Sequence, residues 1–259
     1  MQGSYLGRFL GSTIGLKILM ALTGVVLFGY LIGHVTGNML IFAGPQAINN
    51  YSKFLHDSKG LLWGTRIILL AAVVVHIWAT LRFLKLRSDA RPVAYEVKKP
   101  HGTTFAARTM YWSGPVIALF IVYHILHLTT GTVHPTYSKN VDPATHTVDV
   151  YANLVEGFQR PLASGIYILA MLAIGFHLSH GIWSMLQTIG VNRPNWEPAL
   201  RCLAVIAAVT LPITALSSIY GMNVIVNDRT HVLHLAVVLA VMAAMSMILL
   251  RWTKRQGWW

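Results

Sequence analysis

An all-α, integral-membrane helical bundle is predicted, on three observations. Hydrophobic residues make up 55% of the 259-residue chain and charged residues only 11%, against roughly 25% charged in a soluble domain, and the mean hydropathy is +0.57. Apolar runs recur at about the 20-residue length that a hydrocarbon core of about 30 Å demands. No Asp or Glu falls inside any of these runs. Six qualify: Leu16–Ile41, Leu61–Leu84, Trp112–Thr130, Leu162–Leu186, Leu200–Tyr220 and His231–Leu250. Nothing of domain size lies between them, so residues 1–259 are expected to form one membrane domain.

Met1–Gly15 reads as an interfacial lead-in, with Tyr5, Arg8 and Phe9 suited to the headgroup region. The first run is too long for a signal peptide and no small-residue cleavage pattern follows it. Gly44–Gly60 reads as a polar outer loop containing Asn49, Asn50, Tyr51, His56 and Asp57. Arg87–Thr109 is a basic inner loop and Gly131–Arg160 the longest outer segment, with Pro161 at a helix start. Gly190–Pro198 can reverse the chain between antiparallel helices, and Pro212 should kink the fifth span. Trp63, Trp112, Trp183 and Trp252 fall near predicted span ends, as interfacial aromatics do.

The formal net charge of +12 would point to nucleic acid in a soluble protein. Here its distribution points to topology, and no nucleic-acid partner is expected. Arg82, at the end of the second run, and Lys85, Arg87, Arg91, Lys98, Lys99 and Arg108, between it and the third, form a basic cluster opposed only by Asp89 and Glu96. Arg251, Lys254 and Arg255 follow the last run, and Arg8 and Lys17 lie at the first. The third-to-fourth segment has Lys139 and Arg160 beside Asp142, Asp149 and Glu156. Positive-inside bias then puts both termini in the cytoplasm, which requires an even number of spans. The single cysteine, Cys202, excludes a disulfide framework, a covalent haem site and an iron–sulfur cluster held by this chain alone.

Four of the runs carry a histidine at membrane depth: His34, His76, His124 and His177. Ionisable side chains there are costly and generally functional, and neutral imidazole is a common ligand for metals and haem iron. With alternating span direction, His34 and His124 both lie toward the outer side, and His76 and His177 toward the inner side. The two levels stand about 15 Å apart at the helical rise per residue. Two stacked bis-histidine sites are the direct reading, with two haems b as cofactors. A lone intramembrane histidine can instead hydrogen-bond a neighbouring helix. His127 lies one turn from His124, and His180 one turn from His177, so spacing leaves either as an alternative ligand. Gly24, Gly33 and Gly37 leave room for a flat macrocycle, or equally for close helix packing. His231 and His234 read as interfacial, and His56, His101, His134 and His146 as solvated loop residues.

With these residues in view, the chain resembles the cytochrome b membrane anchors of succinate:quinone oxidoreductases, of the class with one anchor chain and two haems. The most specific stretch is Phe176-His177-Leu178-Ser179-His180-Gly181-Ile182-Trp183-Ser184, similar to F-H-x-S-x-G-x-W-S around that family's fourth-helix ligand. Ser113-Gly114 with Tyr123-His124, Gly33-His34 with Asn38, and Val75-His76-Ile77 resemble the third-, first- and second-helix motifs. Asn50, Tyr51 and Asp57 are similar to its outer loop. The resemblance spans about residues 5–220. It implies His76 with His177 for an inner haem and His34 with His124 for an outer one, in preference to His180 and His127. Five spans form the family's core, so the sixth is extra, to shield the bundle or join copies into a higher oligomer. Some members carry a glutamate two residues before the fourth-helix ligand; Gly175 stands there in this chain.

The resemblance implies a subunit of succinate dehydrogenase or fumarate reductase that does not itself bind succinate. Flavoprotein and iron–sulfur subunits would dock on its cytoplasmic face, in a bacterial inner membrane. Electrons would pass through two b haems to a quinone, menaquinone or ubiquinone. Arg82, Lys85 and Arg108 are candidate propionate partners, or simply positive-inside charges. Asn50, Tyr51, His56 and Asp57 are the candidate quinone region. The rivals are a di-haem anchor of hydrogenase or formate dehydrogenase type and a haem-free transporter with a histidine proton relay. The last would call for acidic residues in the spans.

Overall fold

The computed structural model describes residues 4–90, 93, 96, 104–135, 140–141, 147–191, 193–225, 247 and 251. The architecture is all-α, with a single isolated antiparallel bridge, Val141 to Val148, among the described residues. Helix α1 (Tyr5–Leu10) is capped by Ser4. Ser12 then starts α2 (Thr13–Asn38), its hydroxyl accepting from Gly15 N at 3.0 Å. The Phe9–Leu10 backbone folds directly over Gly15, where a Cβ would stand 2.0 Å from the Phe9 carbonyl oxygen. No other residue fits that corner.

Helix α2 tightens into a 3-10 turn, Met39–Ala43, and stops at Gly44 with φ of 95°. The predicted polar outer loop is instead mostly helix: α3 runs Pro45–Asp57, with Pro45 at its first position. Its Asn, Lys and Asp residues look like turn formers in sequence, yet Asn50, Lys53 and Asp57 occupy the exposed face of an amphipathic helix whose Ile48 and Asn49 are buried. Helix α4 spans Lys59–Asp89. Helix α5 begins at Phe105 rather than near Trp112, with Thr104 as its cap, and ends at His124. It then widens into a π turn, Ile125–Thr129, closed by Thr130 N to Ile125 O at 2.9 Å. The outer segment contains α6 (Val150–Phe158), capped by Asp149. Helix α7 (Pro161–Thr188) starts at the expected proline, and α8 (Glu197–Ile225) follows.

Among the described residues, five stretches are long and apolar enough to cross a membrane: Thr13–Ala43, Lys59–Asp89, Phe105–Thr129, Pro161–Thr188 and Glu197–Thr214. The first two, at 31 residues each, reach about 46 Å if wholly α-helical. Their outward faces are apolar: Leu119 is 73% exposed, and Ile67, Leu70 and Leu169 are similar. Such continuous exposure suits hydrocarbon and not water. The sixth predicted run, His231–Leu250, lies outside the described residues apart from Met247.

Helices α4, α2, α7 and α5 pack in that order, each on the next, and α8 packs on the far side of α7. The α4–α5 edge is bridged by Arg87 donating to the Tyr111 hydroxyl at 2.6 Å. Buried alanines, among them Ala72, Ala79, Ala170, Ala173 and Ala208, let the backbones approach. Several large buried side chains gather instead at the His34–His124 end, where Ile41, Ile48, Val155, Phe158 and Tyr167 form one cluster. Asn49 locks this cap: it donates to Asp149 Oδ1 at 3.0 Å and accepts from Tyr151 N at 3.1 Å.

Helix α8 continues through Pro212, whose missing N–H frees the carbonyl of Ala208. That oxygen faces Gly175, where a Cβ would stand 3.1 Å away, and Pro212 Cγ is 3.5 Å from the same point. The contact gives Gly175 a packing reason, and a glutamate there would have to push α8 off α7. Gly175→Val should therefore destabilise the bundle by about 1–3 kcal/mol, read as a lowered thermal midpoint in detergent. An unchanged midpoint would show that the α7–α8 seam has slack.

Candidate functional site

The four-helix ring brings residues together across its diagonals. From α4 and α7, the His76 and His177 rings face each other with centroids 6.4 Å apart at 56°. From α2 and α5, His34 and His124 stand 5.7 Å apart, edge to face at 85°. A metal ion held between two imidazole nitrogens at about 2 Å each would set ring centroids about 6 Å apart. Both separations are of that size.

In the inner pair, His76 Nδ1 lies 2.9 Å from Thr23 Oγ1. Thr23 spends its own proton on the carbonyl oxygens of Leu19, at 2.7 Å, and Met20, at 3.1 Å. Its oxygen can then only accept, so Nδ1 of His76 carries the hydrogen and Nε2 keeps its lone pair. His177 Nδ1 has a longer contact, 3.4 Å, with Ser113 Oγ on α5, and Ser113 is fully buried. A Cβ on Gly24 would be 4.0 Å from His76 Cε1, and one on Gly114 or Gly181 would meet nothing within 4 Å. Small residues thus leave width beside the rings.

The outer pair is more heavily hydrogen-bonded. His124 Nδ1 is 3.0 Å from the Tyr167 hydroxyl, and among the described residues no side chain hydrogen-bonds its Nε2. Tyr30 stacks on His34 at 5.3 Å and 17°, with its hydroxyl 3.4 Å from Nδ1. Asn38 Nδ2 approaches His34 Nε2 at 3.2 Å, so coordination through that nitrogen requires the Asn38 amide to turn away. The donor chemistry fits a bis-histidine group at the inner level as it stands, and at the outer level after that one rotation. Among the described residues no group of three or more His, Cys, Asp or Glu gathers at one point; a haem iron takes its axial protein ligands singly or in pairs.

The two alternative histidines part company with the pairs. His127 is fully buried, stacks on Tyr123 at 5.4 Å and hydrogen-bonds Tyr167 at 3.0 Å inside the outer cluster. Among the described residues, no ring stacks on His180 and no side chain hydrogen-bonds it. Of the outer candidates, Tyr51 packs closely on Gly37, whose added Cβ would come 2.8 Å from the phenol oxygen. That puts it one turn beyond His34. Asn50 is exposed, His56 turns back on the Ser52 carbonyl at 2.8 Å, and Asp57 pairs with Lys53 at 2.6 Å.

Arg82 and Lys85 are exposed on the inner part of α4 and make no ion pair among the described residues. Arg108 lies 6.0 Å over the Phe105 ring. A cavity of about 340 Å³ at the N-terminal end of α2 and the C-terminal end of α7 places Lys17, read in sequence only as a topological charge, beside Ser184 and Gln187. Thr23, Tyr30 and Tyr167 were silent in sequence. Hydroxyls on apolar helices carry no spacing signature until the partner helix is known.

Over 207 residues the chain is 22% identical to the succinate dehydrogenase cytochrome b558 subunit of Bacillus subtilis (strain 168), covering 78% of this chain and 94% of that protein. No family model and no solved structure matches.

Proposed function

We propose that the chain is the cytochrome b membrane-anchor subunit of a succinate:quinone oxidoreductase, one di-haem domain over residues 1–259. The observation that carries the reading is the pair of facing histidine couples set across the two diagonals of one apolar helix ring. The similarity to a named succinate dehydrogenase cytochrome b subunit over most of both chains supports the same conclusion.

His76 with His177 and His34 with His124 would hold two haems b. When bound, these supply a one-electron relay between an iron–sulfur subunit on the cytoplasmic face and a quinone. Thr23 and Ser113 orient the inner imidazoles, and Thr23 fixes the tautomer of His76, the outer-sphere role that sets ligand basicity. Apolar outward faces keep water from the ring interior. Arg82, Lys85 and Arg108 supply positive charge for propionates. Tyr51 is the best-supported member of the quinone region, through its contact at Gly37, ahead of Asn50, His56 and Asp57. The flavoprotein subunit would carry the succinate chemistry, and both termini and the basic loop would face the cytoplasm of a bacterial cell, in its inner membrane.

Purified in detergent and reduced with dithionite, the chain should show two b-type haems per polypeptide. His76→Ala or His177→Ala should remove one, and His34→Ala or His124→Ala the other. A colourless, folded preparation sinks the proposal. Thr23→Val should keep the helices but weaken haem uptake at the inner site by about tenfold or more, measured by titrating haem into the apo chain. Unchanged uptake would show that Thr23 does not orient His76.

A further inference from the structure

Helix α7 places one phenol hydroxyl between two imidazoles: Tyr167 Oη is 3.0 Å from His124 Nδ1 and 3.0 Å from His127 Nδ1. A hydroxyl has a single proton, so it cannot donate to both rings. If it donates to one Nδ1, it must accept an N–H from the other. In that arrangement the two histidines hold opposite hydrogens at Nδ1, and the tyrosine ties one state to the other. Burial makes the tie stringent. Tyr167 is 5% exposed and His127 is 0% exposed, so both lie away from bulk solvent.

The surroundings fix His127 as the anchor of this arrangement. Its ring is stacked on Tyr123 at 5.4 Å and boxed by Phe158 at 5.8 Å and His134 at 5.4 Å, both edge to face. The π turn Ile125–Thr129 carries it. A π turn shifts the residues that follow it around the helix axis relative to a regular helix. Phe120 and Phe158 hold the Tyr167 ring edge to face at 4.9 and 4.7 Å. His124, by contrast, faces His34 across the bundle.

We infer that Tyr167 is the positioning residue for His124: its hydroxyl accepts the His124 Nδ1–H while donating to Nδ1 of His127. His124 is thereby left with Nε2 as its bare nitrogen. The inference rests on the proposed function, because a metal-bound neutral imidazole needs its hydrogen on the nitrogen away from the metal. Donation to His127 makes the phenol oxygen a better acceptor, since hydrogen bonds in a chain polarise one another. Accepting from Nδ1–H raises the basicity of a ligating imidazole and so favours the oxidised iron. The second histidine one turn along is then part of the outer site without ligating.

The experiment is a potentiometric titration of both haems in the purified chain and in Tyr167→Phe and His127→Phe. Tyr167→Phe should keep two haems and shift one midpoint potential positive, leaving the other in place. His127→Phe should shift the same potential in the same direction by a smaller step. Unmoved potentials in both variants overturn the inference while leaving the di-haem reading intact. Should Tyr167→Phe fail to fold, His127→Phe decides alone: a shift of that one potential supports the inference and none overturns it. An unaltered chain without haem would instead sink the proposed function itself.

Discussion

A neutral imidazole in hydrocarbon brings one N–H to donate and one lone pair to fill, with no water to serve either. Much of the interior of this bundle follows from that. Thr23, Ser113 and Tyr167 each bring a hydroxyl to an Nδ1 atom, from helices other than the one bearing the histidine. Each such contact fixes a ring and a helix-to-helix register together. Nδ1 is the engaged nitrogen of His76, His177 and His124, and this common choice leaves Nε2 available on all three. Leaving a polar group unmatched at that depth costs several kcal/mol, so helix rotations that break these contacts are disfavoured.

Helix packing answers the same demand by different means. Apolar attraction between helices is weak where lipid is as apolar as leucine, so close backbone approach has to supply cohesion. Buried alanines and Gly175 allow it along α7 and its neighbours. One bulky cluster fills the His34–His124 end, under a lid of short helices tied by Asn49 and Asp149. Side chains of any size in mid-bundle would close the space beside the histidine rings.

The fold class was legible because span length and the absence of acidic residues are coarse properties of composition. That the His34 ring would lie near His124 and the His76 ring near His177 was legible as well, because alternating span direction converts sequence position into depth. The helical character of Pro45–Asp57 was not: its asparagines suit turns equally well, and only the burial of Ile48 and Asn49 against α6 selects the helix. The hydroxyl partners were invisible for a related reason. A threonine facing a carbonyl four residues back looks the same in sequence whether or not an imidazole waits on the next helix. Tyr167 lies 40 residues beyond His127, and no local pattern joins them.

Helix α7 bears His177, Gly175 and Tyr167 within less than four turns, so both levels of the bundle converge on one element. A growing chain delivers its helices in order, N-terminal first. His34 and His124 are both present once the third span has emerged, well before Tyr167 exists. The inner couple, by contrast, has only His76 until the fourth span arrives. Biogenesis is therefore asymmetric between the two levels: a ribosome-bound intermediate holds an outer couple lacking its tyrosine and half of an inner one. Insertion of α7 completes both in a single step.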